Sequence, residues 1–320
     1  MHTDYDVIII GSGCAGLAAA LYTSRAGFRT LVLEREVMGG ESMNRQLIEN
    51  YPGFRAGVQG PDLAENMIEQ AMSFGTEIEM GDVTSIDGGA NHFVVSCEDQ
   101  SRTCKGIIVA SGAVPRRLNV PGEAELTGSG VFYCATCDGP GFAGKPVVVA
   151  GGGDSGITES VMLEKLGCKV TVIEFMPQLK AAQVEVDRAQ SSPNIDIKTN
   201  TKISKIVGDG RVTAIEIEDR ATGEKNTLEV EGVLVRIGLI PNTAFLKGIV
   251  ELTPLGQVPV DVHMATTVPG IFAAGDIREH SPMQMATAVG DGVTAAMALG
   301  RYLQMTSAEV EPVGAGTKAS

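Results

Sequence analysis

The first 35 residues alternate between apolar and mixed segments in a way that predicts a strand, a helix and a second strand. Asp6 leads into an unbroken apolar run at residues 7–10, and the segment 6–10 is predicted to be a strand buried on both faces of a parallel sheet. A helical stretch follows through about Ala26, and a second apolar run ends at Glu34. This order is that of a βαβ unit.

Three glycines occupy the turn between the first strand and the helix. Gly11 permits the tight turn, Gly13 lets a pyrophosphate approach the helix N-terminus, and Gly16 allows close packing of helix on strand. Glu34 is placed to accept hydrogen bonds from ribose hydroxyls. A glycine turn with a purely structural role is the alternative. The agreement of strand, helix and acidic residue favours nucleotide binding.

The same pattern recurs later in the chain. Residues 147–150 form an apolar strand, a helix runs to about Leu166, and the next strand ends at an acidic residue. The spacing from the first glycine to its counterpart equals the spacing between the two acidic residues, 140 positions in both cases. Two nucleotide-binding domains are therefore predicted in one chain. The positions of the second loop are Gly151, Gly153, Gly156 and Glu174.

A shorter repeated pattern indicates where the chain crosses between the two domains. Residues 106–109 and 232–235 are similar apolar strands, and each is followed by a glycine and then a proline. The crossings are placed near Arg116 and Thr243. The predicted domains are a discontinuous one, residues 1–116 and 244–305, and an inserted one, residues 117–243.

The C-terminal part adds a strand-like run ending at residues 270–276 and a helix from about Gln284 to Leu303. Asp276 at a strand end can hydrogen-bond a polyol, and the helix start at Gln284 and Met285 can offer backbone N–H groups to an anionic ring oxygen. A turn aspartate and an ordinary helix cap explain the same pattern. Residues 306–320 are small and polar, which predicts a disordered tail.

Composition narrows the possible partners and compartments. The net charge of −14 makes nucleic acid and anionic membranes poor partners. No signal-type segment and no apolar run of about 20 residues is present, so a cytoplasmic protein without a membrane span is expected. Six cysteines in 320 residues are too sparse for a secreted disulfide framework.

Cys134 and Cys137 are close enough in sequence to cycle between dithiol and disulfide. Such a pair could also be half of a zinc site or an inert part of the core. A zinc site needs a second pair of ligands at suitable spacing. The other four cysteines are isolated and no histidine lies near the pair in sequence, so redox chemistry is favoured and no metal is expected.

Taken together, these motifs resemble low-molecular-weight thioredoxin reductases. The resemblance extends in order from Asp6 to about Leu303, and its most specific part is the C-A-T-C-D segment within the second nucleotide domain. The segments that carry it are the first glycine loop, residues 49–54 (ENYPGF), the Ser111-Gly112 turn, residues 134–139, the second glycine loop and residues 270–276.

The resemblance implies an α/β fold of two Rossmann-like domains, an FAD domain built from both chain ends and an NAD(P)-type domain inserted in it. It also implies a homodimer in which electrons pass from reduced flavin to the cysteine pair and then to thioredoxin. Cys137 would face the flavin, Cys134 would attack the partner disulfide, and Asp138 would exchange protons beside them. Asp138 could instead be a turn residue before Gly139-Pro140. The positions at which the family holds FAD are Asn50, Gly275, Asp276, Gln284 and Met285.

One departure from the family concerns the electron donor. The family binds NADPH with a His-Arg-Arg cluster and a further arginine, where this chain has Glu174, Phe175, Met176 and then Lys180. Each lost charge-assisted bond to the 2′-phosphate is worth about 1.5–3 kcal/mol, and Glu174 would add repulsion. A total of about 4 kcal/mol corresponds to roughly a thousandfold. NADPH is therefore not expected to be the donor.

Two donors remain open. A glycine loop followed by a glutamate is how an NADH site is built, whereas an abandoned nucleotide site would point to a protein donor such as ferredoxin. Rival functions on the same fold are a ferredoxin or flavodoxin reductase and a flavin-bound redox sensor. Smaller departures are Cys14 in the first loop, interpreted as packing, Met283 in place of an arginine, and Ser129 and Pro140-Gly141 around the thioredoxin surface.

Overall fold

The computed structural model describes residues 3–45, 47–98 and 100–308, without the side chains of residues 307 and 308. In chain order, the strands are β1 (Val7–Ile10), β2 (Thr30–Glu34), β3 (Glu77–Met80), β4 (Val83–Gly89), β5 (His92–Cys97), β6 (Ser101–Cys104), β7 (Gly106–Val109), β8 (Ala113–Pro115), β9 (Val131–Phe132), β10 (Pro146–Ala150), β11 (Lys169–Ile173), β12 (Ile195–Lys198), β13 (Thr201–Gly208), β14 (Val212–Asp219), β15 (Lys225–Glu229), β16 (Gly232–Val235), β17 (Leu239–Pro241) and β18 (Ile271–Ala273). The α-helices are α1 (Cys14–Arg25), α2 (Gly60–Met72), α3 (Ala135–Asp138), α4 (Asp154–Lys165), α5 (Gln183–Ser191) and α6 (Met285–Ala308).

The chain divides into two compact units. The first consists of Met1–Ala113 and Pro241–Ser320, and the second of Val114–Ile240. The divisions fall slightly before the crossings placed near Arg116 and Thr243. The two connecting strands, β8 and β17, pair with each other.

The first unit is built on a parallel sheet with the order β18-β7-β1-β2-β3. Successive side chains of β1 point to opposite faces of the sheet. Val7 and Ile9 pack with apolar residues of α1 and α6. Ile8 and Ile10 pack with residues of the antiparallel sheet β4-β5-β6. Because both faces are covered, the whole strand is apolar.

The second unit repeats this arrangement with the strand order β12-β11-β10-β16-β9. Val147 and Val149 of β10 pack with Ile157 of α4. Val148 packs on the other face with the antiparallel sheet β13-β14-β15, for example with Ile215. The predicted α/β fold of two Rossmann-like domains, the second inserted in the first, is confirmed.

The last helix is longer than its sequence pattern predicts. Helix α6 continues to Ala308 instead of ending at about Leu303. Thr306 anchors its final turn, because its hydroxyl bonds Tyr302 O and Asn91 Oδ1, both at 3.0 Å. The prediction of a disordered tail is therefore wrong for residues 306–308, and residues 309–320 lie outside the described part of the chain. Of the helices in the described ranges, none combines the length and apolarity that crossing a membrane requires.

Candidate functional site

The cysteine pair lies where β9 of the second unit gives way to the short helix α3. Cys134 is the N-cap of that helix, and a disulfide joins it to Cys137, with the two Cα atoms 5.4 Å apart. The backbone N–H of Cys137 points at Cys134 Sγ, 3.1 Å away. In the reduced protein this N–H would stabilise a thiolate on Cys134, which is the form that attacks disulfides. The assignment of Cys134 as the attacking sulfur stays a prediction.

A zinc site at the pair would need further ligands beside the two sulfurs. The two sulfurs are bonded to each other. Across the described ranges, no three His, Cys, Asp or Glu side chains converge as metal ligands would. The free cysteines are Cys14, Cys97, Cys104 and Cys168.

Asp138 is the last residue of α3 and follows Cys137 directly. Its side chain is largely exposed, yet partial desolvation of the carboxyl raises its pKa above the usual value. A carboxyl with a raised pKa exchanges protons nearer to neutral pH. Gly139 begins a 3-10 turn at once, so the turn role is also compatible with this position.

A buried carboxylate that the sequence analysis missed holds the residue before the cysteine pair. Glu123 is 2% exposed and accepts a hydrogen bond of 2.8 Å from the Tyr133 hydroxyl. It also accepts from the backbone N–H groups of Leu118 and Asn119, at 2.9 and 2.6 Å. Burial and the Glu123 partner raise the pKa of Tyr133. Glu123 thus ties the chain ahead of Cys134 to the segment that enters the second unit.

The first glycine loop has little room for side chains at two of its three glycines. Gly11 has φ +101°, and a Cβ there would lie 2.4 Å from Ala110 O. A Cβ on Gly16 would lie 1.9 Å from Gly11 O. At Gly13, by contrast, no described atom lies within 4 Å of the Cβ position. The loop is therefore closed on its protein side and open where a phosphate would approach.

Glu34 accepts hydrogen bonds from the glycine loop itself. Its Oε2 accepts from the backbone N–H and the hydroxyl of Ser12, at 2.8 and 2.7 Å, and its Oε1 accepts from the N–H of Glu36 at 2.9 Å. Each carboxylate oxygen can accept more than one hydrogen bond, so Oε1 keeps capacity for a ribose hydroxyl. Ser12 was not foreseen as its partner.

The C-terminal segment brings a partly buried carboxylate next to this loop. Gly275 packs on α1, since a Cβ there would lie 3.0 Å from Ala15 Cβ. Burial raises the pKa of Asp276, and its hydrogen bond from Ser281 Oγ is long, at 3.5 Å. An acceptor in this state can take a ligand hydroxyl.

Three further predicted positions lie at or beside the start of α6. Asn50 Nδ2 donates to Gln284 Oε1 at 3.0 Å, and Met285 is the first residue of the helix. Neighbouring Asp291 accepts from Arg278 Nε at 2.6 Å and from Gly275 N at 3.2 Å. The donors and acceptors of this unit fit an FAD.

The second glycine loop repeats the geometry of the first. Gly151 has φ +114°, and a Cβ on Gly156 would lie 2.0 Å from Gly151 O, whereas Gly153 is open. Glu174 Oε2 accepts from Gly152 N at 2.5 Å, and Oε1 accepts from Met176 N at 2.7 Å. This is the bonding pattern that Glu34 makes with Ser12 and Glu36.

An arginine from a distant hairpin covers the residue after Glu174. The Arg220 guanidinium carbon lies 3.7 Å from the centroid of the Phe175 ring. Its Nη1 donates to Phe175 O at 2.8 Å and to Asn200 Oδ1 at 3.3 Å. The sequence pattern gives no sign of this contact. Lys180, the cation considered from the sequence, donates its backbone N–H to Gly152 O at 3.1 Å.

Cys14 and Met283 both differ from the residues usual in the family. Cys14 is buried, its Sγ lies 3.3 Å from Ser42 Oγ, and burial raises its pKa. A protonated, buried thiol agrees with a packing role. Met283 is exposed, with φ +55°.

Comparison with known proteins gives a consistent result. The pyridine nucleotide-disulphide oxidoreductase family matches residues 5–292. Thioredoxin reductase of Treponema pallidum (strain Nichols) is 41% identical over 303 residues, which are 95% of this chain and 98% of that protein. Thioredoxin reductase of Listeria innocua serovar 6a is 42% identical over 303 residues, 94% of each protein.

Solved structures agree with these relatives. The crystal structure of Lactococcus lactis thioredoxin reductase in the FR conformation has a TM-score of 0.92 at 37% identity and covers 94% of this chain and 100% of that chain. Thioredoxin reductase of T. acidophilum has a TM-score of 0.90 at 38% identity, with 95% and 100% covered. The resemblance inferred from the motifs is confirmed.

Proposed function

The chain belongs to the pyridine nucleotide-disulphide oxidoreductase family, and from this premise we propose that it is an FAD-dependent disulfide reductase whose oxidised partner is thioredoxin. The observation that carries the proposal is the Cys134–Cys137 disulfide at the surface of a Rossmann-like unit. This unit is inserted in another that has an open glycine loop. Relatives of nearly full length named thioredoxin reductase support the choice of partner.

The first unit would hold FAD. Gly13 and the start of α1 would receive the pyrophosphate, Glu34 a ribose hydroxyl, and Asp276 a hydroxyl of the ribityl chain. When bound, FAD would supply the two electrons that reduce the Cys134–Cys137 disulfide. The other residues proposed to contact FAD are Gly11, Gly16, Asn50, Gly275, Gln284 and Met285.

The cysteines would perform a thiol–disulfide exchange. Reduction of the disulfide consumes two electrons and two protons and leaves two thiols. The Cys134 thiolate attacks one sulfur of the partner disulfide, and the other partner sulfur leaves as a thiolate that is protonated. Cys137 then attacks Cys134 Sγ in the mixed disulfide, which restores the Cys134–Cys137 bond and releases the partner as a dithiol. Asp138 would give and take the protons.

The proposed donor is not NADPH. Phe175 and Met176 are exposed apolar side chains at positions where the family's pattern has arginines. The Glu174 carboxylate accepts a hydrogen bond from Gly152 N of the glycine loop and would repel a 2′-phosphate bound there. NADH and a protein donor such as ferredoxin both satisfy these constraints. We propose in addition a cytoplasmic homodimer, as the family resemblance implies.

The test replaces each cysteine of the pair by serine. We expect Cys134→Ser and Cys137→Ser to retain bound FAD and to lose reduction of thioredoxin when electrons come from dithionite. Cys97→Ser, at a free cysteine of the first unit, is the control and should keep full activity. Turnover retained in either variant would overturn the proposal, because electrons would then leave the flavin without the pair, as in a ferredoxin or flavodoxin reductase. In the parent protein, stoichiometric reduction of the pair without turnover would favour a redox sensor.

A further inference from the structure

We infer that Tyr133 and Phe142 are positioning residues that hold the two ends of the cysteine segment, residues 134–141, when its disulfide is open. By keeping the two sulfurs of the dithiol close together, they favour closure of the disulfide and make the reduced pair a stronger reductant. The inference rests on the proposed function, because it concerns the Cys134–Cys137 couple. Its redox step is balanced, since the disulfide, two electrons and two protons give two thiols.

Tyr133 directly precedes the cysteine segment and is held by side chains outside it. Its hydroxyl donates to the buried Glu123 carboxylate at 2.8 Å. The Arg117 guanidinium carbon lies 5.7 Å from the centroid of its ring. Neither contact involves a cysteine, so opening the disulfide breaks neither of them.

The turn that carries Glu123 is itself anchored to the antiparallel sheet of the second unit. Pro121 O accepts from Ile206 N of β13 at 2.9 Å. Gly122 has φ +87°, and a Cβ there would lie 2.0 Å from Ile206 O, so this position needs glycine. Together with the two backbone hydrogen bonds described above, this anchor gives the Glu123 carboxylate a fixed place from which to hold Tyr133.

Phe142 directly follows the cysteine segment and stacks on Phe132 of β9. The two ring centroids are 4.7 Å apart, and the rings are nearly parallel, with an angle of 10° between them. Gly232 of β16 lies against both rings, since a Cβ there would be 2.8 Å from Phe142 Cδ1 and 3.2 Å from Phe132 Cε1. Cys168 Sγ donates to Phe142 O at 3.0 Å. The chain after the segment is thus held to the strand that precedes it.

The two contacts act on the equilibrium between dithiol and disulfide. A loop whose ends are already fixed loses less conformational entropy when its sulfurs join, so the disulfide is favoured. The backbone N–H of Cys137, which points at Cys134 Sγ, would stabilise a thiolate and act in the opposite direction. Side-chain substitutions at positions 133 and 142 leave this N–H in place and therefore measure the two contacts alone.

The experiment equilibrates FAD-loaded protein with mixtures of reduced and oxidised dithiothreitol without oxygen. Alkylation then traps the two thiols that distinguish the dithiol from the disulfide. Dithiothreitol gives two electrons and two protons to the protein disulfide and becomes a cyclic disulfide.

Tyr133→Phe removes only a hydroxyl and should lower the equilibrium constant for disulfide formation about two- to fivefold. Phe142→Leu removes the stack and should lower this constant by a similar factor. The double variant should lower it about tenfold, equivalent to about 30 mV.

Tyr5→Phe is the matched control, because Tyr5 also donates its hydroxyl to a glutamate, Glu77, at 2.9 Å, but in the first unit. This variant should give the equilibrium constant of the parent protein. Phe142→Tyr keeps an aromatic ring for the stack and should also give a constant close to that of the parent. A contact that only stabilised the fold would lower the melting temperatures of oxidised and reduced protein equally and leave the equilibrium unchanged.

An equilibrium constant that is unchanged in Tyr133→Phe or in Phe142→Leu would overturn the role assigned to that residue. A decrease of the same size in Tyr5→Phe would overturn the inference as a whole, because the effect would then be general. If Phe142→Leu does not fold, the comparison of Tyr133→Phe with Tyr5→Phe decides the question. Reduction of thioredoxin by dithionite-reduced parent protein tests the proposed function separately, because the dithiothreitol equilibrium needs no partner protein.

Discussion

Burial of Asp276 destabilises the charged form of its carboxylate. Its folded-state pKa is raised by desolvation, so its contribution to stability is fully present below the unfolded pKa of about 3.9 and is lost as the pH rises through the folded value. In FAD-free protein, Asp276→Asn should therefore raise the melting temperature at pH 7, with the difference vanishing toward pH 4. The same variant should bind FAD more weakly, which a flavin-release assay measures.

Asp219 is the control, because its pKa is shifted in the opposite direction. Backbone N–H groups of Thr222 and Ala221 lower its pKa, so its contribution is present above the unfolded value and is lost on acidification. Asp219→Asn should lower the melting temperature at pH 7 and leave FAD binding unchanged. A difference in melting temperature between Asp276→Asn and the parent protein that stays the same from pH 7 to pH 4 would contradict the assignment of a raised pKa to Asp276.

Asp138 is expected to affect rate instead of stability. General acid–base groups contribute about 10²–10⁴-fold, so Asp138→Asn should slow thioredoxin reduction by about a hundredfold and flatten its pH profile. FAD content should stay the same. Asp196→Asn, at an exposed carboxylate of β12, should behave like the parent protein. An unchanged pH profile in Asp138→Asn would leave this residue its turn role alone.

At the scale of elements, the first glycine loop allows two alanine substitutions to be compared. Gly16→Ala would place a methyl group 1.9 Å from Gly11 O, and overpacking of this kind costs about 1–3 kcal/mol of unfolding free energy. Gly13→Ala meets no described atom within 4 Å and should change stability by less than about 0.5 kcal/mol. Both variants should lose FAD affinity.

Chemical denaturation of the FAD-free proteins, followed by FAD titration, checks the comparison. The informative variant is Gly13→Ala, which should be as stable as the parent protein and yet bind FAD poorly. If it bound FAD normally, the open face of the loop would not be the phosphate site.

The elements that the sequence predicted are those whose signals are local. The two βαβ units follow from the apolar runs and glycines on either side of α1 and α4, and their boundaries were placed within a few residues. The contacts that were missed join segments far apart in sequence. Arg220 reaches Phe175 from 45 positions away, through a hairpin whose approach to β11 depends on the tertiary fold. Glu123 and Tyr133 are closer in sequence, but an acid in a loop carries no periodic signal.

At the scale of the whole molecule, the two crossings lie side by side. Asn242 N donates to Gly112 O at 2.9 Å, and Arg116 N donates to Gly238 O at 2.9 Å. Removing residues 114–240 and joining Ala113 to Pro241 through a short glycine linker should therefore leave a first unit that folds and binds FAD. The excised segment should fold by itself and form its disulfide.

Circular dichroism and urea unfolding of the two shortened chains measure this independence. Each should unfold in one cooperative transition. A first unit that precipitates or fails to bind FAD, while the intact chain binds it, would show that the inserted unit is required for its folding.

The strand order of the first unit also has a consequence for the timing of biosynthesis. Strand β18 pairs with β7, but β7 ends at Val109 and β18 begins at Ile271, so roughly 160 residues must be made before the sheet is complete. At about 5–20 residues per second, this takes roughly 8–32 s on the ribosome. During that interval β7 has not yet paired with β18, and its apolar side chains are incompletely covered, while the inserted unit can already fold. The nascent chain therefore has a defined period in which a holding chaperone would recognise it.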